Sequence, residues 1–133
     1  MIIRFGKRVL IVEDEGKIAR LLATALEDAG YAAHIEPYGC QALEYAAANP
    51  VDCVILDLLL PDVDGFDVCK ALRKMPQCAA TRILILTALE RPIHQLRGLA
   101  CGADGYLTKP FNVREVVETV HQLLTDQAPH ANI

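Results

Sequence analysis

Cys53-Val54-Ile55-Leu56-Asp57 is a run of four apolar residues that ends on a carboxylate. A run this short, with two β-branched members, is the pattern of a strand covered on both faces. Leu58-Leu59-Leu60-Pro61 then leads into the turn-forming Asp62-Val63-Asp64-Gly65. Asp57 therefore stands where a buried strand emerges. In an open α/β sheet that is the carboxyl edge, where ligand crevices form.

Upstream, Arg8-Val9-Leu10-Ile11-Val12 is a similar run and ends on Glu13-Asp14-Glu15. Ile18, Leu21, Leu22, Ala25, Leu26 and Ala29 follow at helical spacing, which predicts an amphipathic helix stopped by Gly30. Tyr31 to Glu36 has a weaker apolar pattern, suited to an edge strand. Cys40 to Ala48 reads as an Ala-rich helix that stops at Asn49-Pro50. The central strand is expected over Val51 to Asp57.

Downstream, Asp64 suits the N-cap of a helix from Gly65, with Phe66, Cys69 and Leu72 facing inward. Met75 to Thr81 reads as a loop, and Arg82 to Thr87 as a fourth strand. Pro92 opens a helix whose apolar face is expected to be Ile93, Leu96, Leu99 and Ala100. Tyr106 to Pro110 reads as a fifth strand. Asn112 with Glu115 resembles a capping box for a last helix that turns Val113, Val116, Val117, Val120 and Leu124 inward. Alternating β-α units predict an α/β fold: a single doubly wound, five-stranded parallel sheet of order 2-1-3-4-5, flavodoxin-like, with its crevice between strands 1 and 3.

Composition sets the outer bounds. With 133 residues, 53% of them hydrophobic, the chain has enough length for one domain with a full core. The net charge of −4 argues against a whole-surface nucleic-acid binder. Apolar runs are too short to span a bilayer, and residues 1–8 carry no apolar stretch of signal-peptide length. The five cysteines, Cys40, Cys53, Cys69, Cys78 and Cys101, have no metal-site spacing. They read as reduced thiols, and the protein as cytoplasmic.

Four of the five strands deliver a polar group to one edge: Glu13 and Asp14, Asp57, Thr87, and Lys109. Three carboxylates so close repel one another, and a bound cation is the simplest way to keep all of them ionised. An all-oxygen set favours Mg²⁺. Lys109 suits a phosphate oxygen, Thr87 offers a hydroxyl, and Asp57 is a carboxylate nucleophile of the kind that forms aspartyl phosphates.

With Val12-Glu13-Asp14-Glu15, Leu56-Asp57 through Asp64-Gly65, Leu86-Thr87-Ala88 and Gly102 through Phe111 in place, the chain resembles the CheY-like receiver domain of two-component response regulators from Arg8 to Leu124. The resemblance implies a receiver domain over 1–125 and a flexible tail over 126–133. Asp57 would be the phosphoacceptor, served by a histidine kinase or a histidine phosphotransfer protein. Glu13, Asp14, Asp57 and the backbone carbonyl of Leu59 would hold Mg²⁺. Thr87 and Tyr106 would form the switch, Lys109 would contact the phosphate, and Lys109-Pro110 would be cis. The surface of helix 4, strand 5 and helix 5 would control an effector or fused output domain.

The resemblance implies no external turnover, so the protein would not be an enzyme beyond its own phosphorylation and dephosphorylation. It implies no membrane partner and a monomer or phosphorylation-dependent dimer. Leu59 and Leu89 are apolar where receivers flank the path of the hydrolytic water, which implies slow self-dephosphorylation. Gly105, and Val116 to Val120, stand where transcription-factor receivers often carry dimer salt bridges. A Mg²⁺-dependent phosphatase or phosphotransferase of similar topology, also with an aspartate nucleophile, is the alternative, but such enzymes usually need a second acid two residues after the nucleophile, where Leu59 stands. A binding-only domain would have no use for the full set of charges.

Overall fold

The computed structural model describes residues 6–126. Five strands alternate with five helices: β1 (Arg8–Val12), α1 (Gly16–Asp28), β2 (Ala32–Glu36), α2 (Gly39–Ala48), β3 (Cys53–Leu56), α3 (Gly65–Lys74), β4 (Arg82–Thr87), α4 (Pro92–Ala100), β5 (Gly105–Thr108) and α5 (Val113–Thr125). All pairings are parallel, in the order β2-β1-β3-β4-β5. This is the expected flavodoxin-like, CheY-like sheet.

Side chains alternate across a strand, and the central strands use both faces for core. Leu10, Val54, Leu56, Ile83 and Ile85 face one way, against Ala42 and Ala46 of α2 and Phe66 and Leu72 of α3. Val9, Ile11, Ile55, Leu84 and Leu86 face the other way, against Leu22 and Leu26 of α1 and Val116 and Val120 of α5. That double burial is why these strands read as continuous apolar runs. Gly30 ends α1 as expected. Its φ of 97° is left-handed, and the Tyr31 amide donates to the Leu26 carbonyl at 3.0 Å, closing a Schellman turn that sends the chain into β2.

Several expectations are corrected. β3 covers Cys53–Leu56, shorter than Val51–Asp57; just before its start Asp52 turns its carboxylate onto the Arg8 amide at 2.7 Å. α2 begins one residue early, at Gly39, and β5 spans Gly105–Thr108. The 75–81 segment contains a short 3-10 turn, Pro76–Cys78. Leu21 is exposed, since the buried stripe of α1 is Ala19, Leu22 and Leu26. On α4, Ile93 and Leu96 are 60% and 63% exposed, and Gly98 is the helix's buried residue. A Cβ on Gly98 would lie 2.9 Å from Ile85 Cδ1 and 3.2 Å from the Tyr106 ring. The helix rests on the sheet through that glycine, which turns its apolar stripe away. The five cysteines are free thiols, with Cys40 exposed and the others buried. Burial pushes Cys53 and Cys69 up to about 12, which keeps them protonated. The expected tail over 126–133 lies, beyond Asp126, outside the described residues. Among those residues no helix is long and apolar enough to cross a membrane.

Candidate functional site

The parallel register carries the polar groups to one edge. Val12 pairs with Leu56, and Leu56 with Ile85. One residue further on, the Asp57 amide donates to the Val12 carbonyl at 3.0 Å. The Lys109 amide donates to the Thr87 carbonyl at 2.8 Å, which brings the lysine back over the edge. The Lys109–Pro110 peptide is cis.

The Lys109 ammonium donates to Glu13 Oε1 at 2.6 Å and to Asp57 Oδ2 at 2.8 Å. The other Asp57 oxygen, Oδ1, accepts from the Leu59 amide at 3.0 Å. Glu13 Oε2 accepts from the Glu15 amide at 3.1 Å. Glu13 and Asp57 are buried, whereas Asp14 faces solvent. Oxygens from Glu13, Asp14 and Asp57 all lie within 4.8 Å of one another.

The electrostatics are unbalanced. Three carboxylates face one ammonium, which leaves two negative charges when all are ionised. Burial pushes the Glu13 carboxyl up, against the pull of Lys109. Burial would lower Lys109, but hydrogen bonds to Asp57 and Glu13 outweigh it and raise the ammonium's pKa. Three clustered carboxylates with two charges in excess fit a hard divalent cation that takes few protein oxygens and keeps its waters.

Thr87 is fully buried, and its hydroxyl has no hydrogen-bond partner among the described residues. A buried unpaired hydroxyl costs stability, and a bound group with an acceptor oxygen would remove that cost. Tyr106, one strand over, donates its hydroxyl to the Leu89 carbonyl at 2.6 Å and so holds the segment after Thr87. Leu59 and Leu89 line one cleft beside the site, and the Leu59 side chain is exposed.

The site backbone depends on two residues outside this set. At Gly65 a Cβ would lie 2.4 Å from Leu58 Cα and 2.7 Å from the Asp57 carbonyl oxygen, so α3 can start this close behind Asp57 only with glycine. At the tip of the same loop Asp62 accepts from the amides of Gly39 and Cys40, at 2.9 and 3.0 Å. Sequence reading placed Asp62 in a turn and missed this contact. Its partner is over twenty residues away, and no local spacing signals it.

The comparisons with known proteins agree with this geometry. Residues 9–121 match the family model described as the response regulator receiver domain. The DNA-binding dual master transcriptional regulator RpaA of Synechocystis is 41% identical over 126 residues, covering 93% of this chain and 52% of the relative. The transcriptional regulatory protein BaeR of Escherichia coli is 39% identical over 126 residues, covering 95% and 51%. This chain thus spans about half the length of the curated relatives it matches. Among solved structures, the chemotaxis response regulator CheY4 of Vibrio cholerae superposes with a TM-score of 0.84 at 36% identity, covering 89% of this chain and 98% of that one.

Proposed function

The chain belongs to the response regulator receiver family, and on that premise we propose that it is a phosphorylation-driven switch with Asp57 as phosphoacceptor. An Asp57 carboxylate oxygen attacks the phosphorus of a phosphohistidine on a histidine kinase or phosphotransfer protein. An O–P bond forms, the N–P bond breaks, and the imidazole leaves with the electron pair. Lys109 neutralises charge on the transferring group. Glu13, Asp14, Asp57 and the Leu59 carbonyl are the groups assigned to Mg²⁺, which when bound neutralises phosphoryl oxygens. Water then attacks the acyl phosphate, inorganic phosphate leaves and the Asp57 carboxylate is regenerated; the domain acts as a switch on its own side chain, without an external substrate to convert beyond its phosphodonor.

The observation that carries this reading is the buried, unpartnered Thr87 hydroxyl on the same edge as the Lys109-bound Asp57. A new phosphoryl oxygen would give that hydroxyl its missing acceptor. The phosphorylated chain then favours the arrangement in which Thr87 and Lys109 both reach the phosphoryl group. Tyr106 follows the Thr87 segment through Leu89, and the readout is the surface of α4, β5 and α5. There Ile93 and Leu96 offer an apolar stripe to an effector or output domain.

The exposed Leu21 joins Ile18, Pro110 and Phe111 in an apolar shelf that Lys109 also lines. We assign this shelf to the protein phosphodonor. Leu21→Asp should slow transfer from a phosphohistidine protein and leave reaction with acetyl phosphate unchanged; equal slowing of both would refute the assignment. Leu59 and Leu89 place two side chains that cannot orient a water beside the acyl phosphate. Phosphoryl loss should therefore be slow, and Leu59→Asn with Leu89→Glu should speed it; a lifetime of seconds in the wild type would refute this.

The test of the whole reading is intact-protein mass after incubation with Mg²⁺ and acetyl phosphate. One phosphoryl group should add to the wild type and none to Asp57→Asn or to the wild type in EDTA. Addition to Asp57→Asn would move the acceptor elsewhere.

A further inference from the structure

The loop from Leu58 to Asp64 is fastened twice. At its base the Gly65 amide donates to the Leu58 carbonyl at 3.0 Å, and Leu59 and Asp64 form an isolated antiparallel bridge. At its tip both Asp62 carboxylate oxygens accept amides from the first turn of α2, as already described. Helix α2 has no side-chain cap of its own: its N-cap residue is Tyr38, and Tyr38 makes no such bond. Asp62 supplies from the loop an acceptor for the Cys40 amide, as an Asp or Ser at position 38 could do locally, and a second for the Gly39 amide.

Packing seals the same contact. Gly39 is so close to the loop that a Cβ there would lie 2.3 Å from Val63 Cγ2 and 3.3 Å from Leu60 Cδ1. The amide donors hold the Asp62 carboxyl below its usual range, as expected for an acceptor that works as an anion. Leu59 stands on the tip side of the Gly65–Leu58 contact, within the base bridge; its amide donates to Asp57 Oδ1 at 3.0 Å, and its carbonyl is the one assigned to the metal.

We propose that Asp62 is a positioning residue for the Asp57 site: by capping α2 from the loop, it fixes the Leu59 backbone against Asp57 and the bound cation. Asp62 touches none of the reacting atoms itself. It acts through the loop, and α2 serves as the anchor. This inference rests on the Mg²⁺-dependent reading of the site.

The experiment separates helix capping from loop positioning. Asp62→Ala removes the cap and the tether together. Asp62→Ala with Tyr38→Asp restores a local cap but leaves the loop untethered. Mg²⁺ binding is titrated by the chemical shift of the Leu59 amide, stability by thermal unfolding, and phosphoryl incorporation from acetyl phosphate by intact mass. We expect Asp62→Ala to weaken Mg²⁺ binding about tenfold, the lower end for residues that orient metal ligands, and to slow incorporation. The double variant should recover the melting temperature but not the Mg²⁺ affinity. Wild-type affinity in Asp62→Ala, or recovery of affinity together with melting temperature in the double variant, would overturn the proposal. If Asp62→Ala does not fold, the double variant carries the test alone. A wild type that takes up no Mg²⁺ would overturn the metal reading itself, and this inference with it.

Discussion

The two edges of the sheet hold their carboxylates in opposite ways. At the amino edge the Asp104 carboxylate is buried, with more partners than charge. Its Oδ2 accepts from Arg73 Nη2 at 2.7 Å and from the Ile83 amide at 2.7 Å, and its Oδ1 faces Arg82 Nη1 at 3.3 Å. Arg73 also donates to the carbonyls of Gly102, Cys78 and Thr81. One acid, two guanidiniums and a backbone amide tie α3, the 75–81 segment, β4 and the turn into β5 together. At the carboxyl edge three acids cluster with one ammonium, which bonds two of them, and a buried hydroxyl has no partner among the described residues. Both edges are polar, but only the second leaves charge and hydrogen-bonding capacity unmatched. A saturated cluster holds the fold, whereas an unsaturated one has room for a ligand.

The sharpest way to break this comparison is at Asp104. Asp104→Ala removes the carboxylate that the partly buried Arg73 guanidinium faces, and should lower unfolding stability by about 3 kcal/mol. The loss would appear as a lower urea midpoint at unchanged slope. The folded fraction should still take up phosphate at Asp57. A loss within the range of a surface ion pair, under about 1 kcal/mol, would mean that the two edges do not differ in kind.

Thr87 should behave the opposite way. Thr87→Val keeps the shape and removes the unpaired hydroxyl, so stability should rise by about 1 kcal/mol, again by urea midpoint. The variant should still be phosphorylated, but the amide shifts of α4 and β5 should respond less to phosphorylation. A destabilised Thr87→Val would mean that the hydroxyl already has a partner.

The smallest effect is a pH dependence at Glu13. Its folded pKa lies above the ordinary 4.5 because of burial. A carboxyl shifted upward contributes stability that is present below its unfolded pKa and lost as pH rises through the folded one. In EDTA, the stability of the wild type relative to Glu13→Gln should therefore fall as pH climbs above about 4.5. Mg²⁺ should reduce that fall. A relative stability that rises with pH would reverse the assigned cause.

How far the sequence could be read depended on distance along the chain. The β-branched runs, the alternation of strand and helix, and the polar residues at four of the five strand ends are local patterns, and five parallel strands leave few ways to arrange them. Glu13, Asp57, Thr87 and Lys109 could therefore be placed on one edge before any coordinates. The α4 face could not. Ile93 and Leu96 repeat at helical spacing like core residues, but periodicity shows only that a stripe is apolar, not what covers it. Gly98 decides the matter by letting Ile85 and Tyr106 come close on the other side.

The long-range polar contacts were equally out of reach. Asp62 caps a helix that begins far upstream, and Asp104 meets Arg73 and Arg82 across three elements. By itself the sequence determined the fold class, the strand order and the identity of the groups at the carboxyl edge, because the hydrophobic pattern and strand-end chemistry are written locally. Only the tertiary structure decided which carboxylates are saturated and which are left unmatched, because that balance depends on side chains brought together from segments the sequence keeps apart.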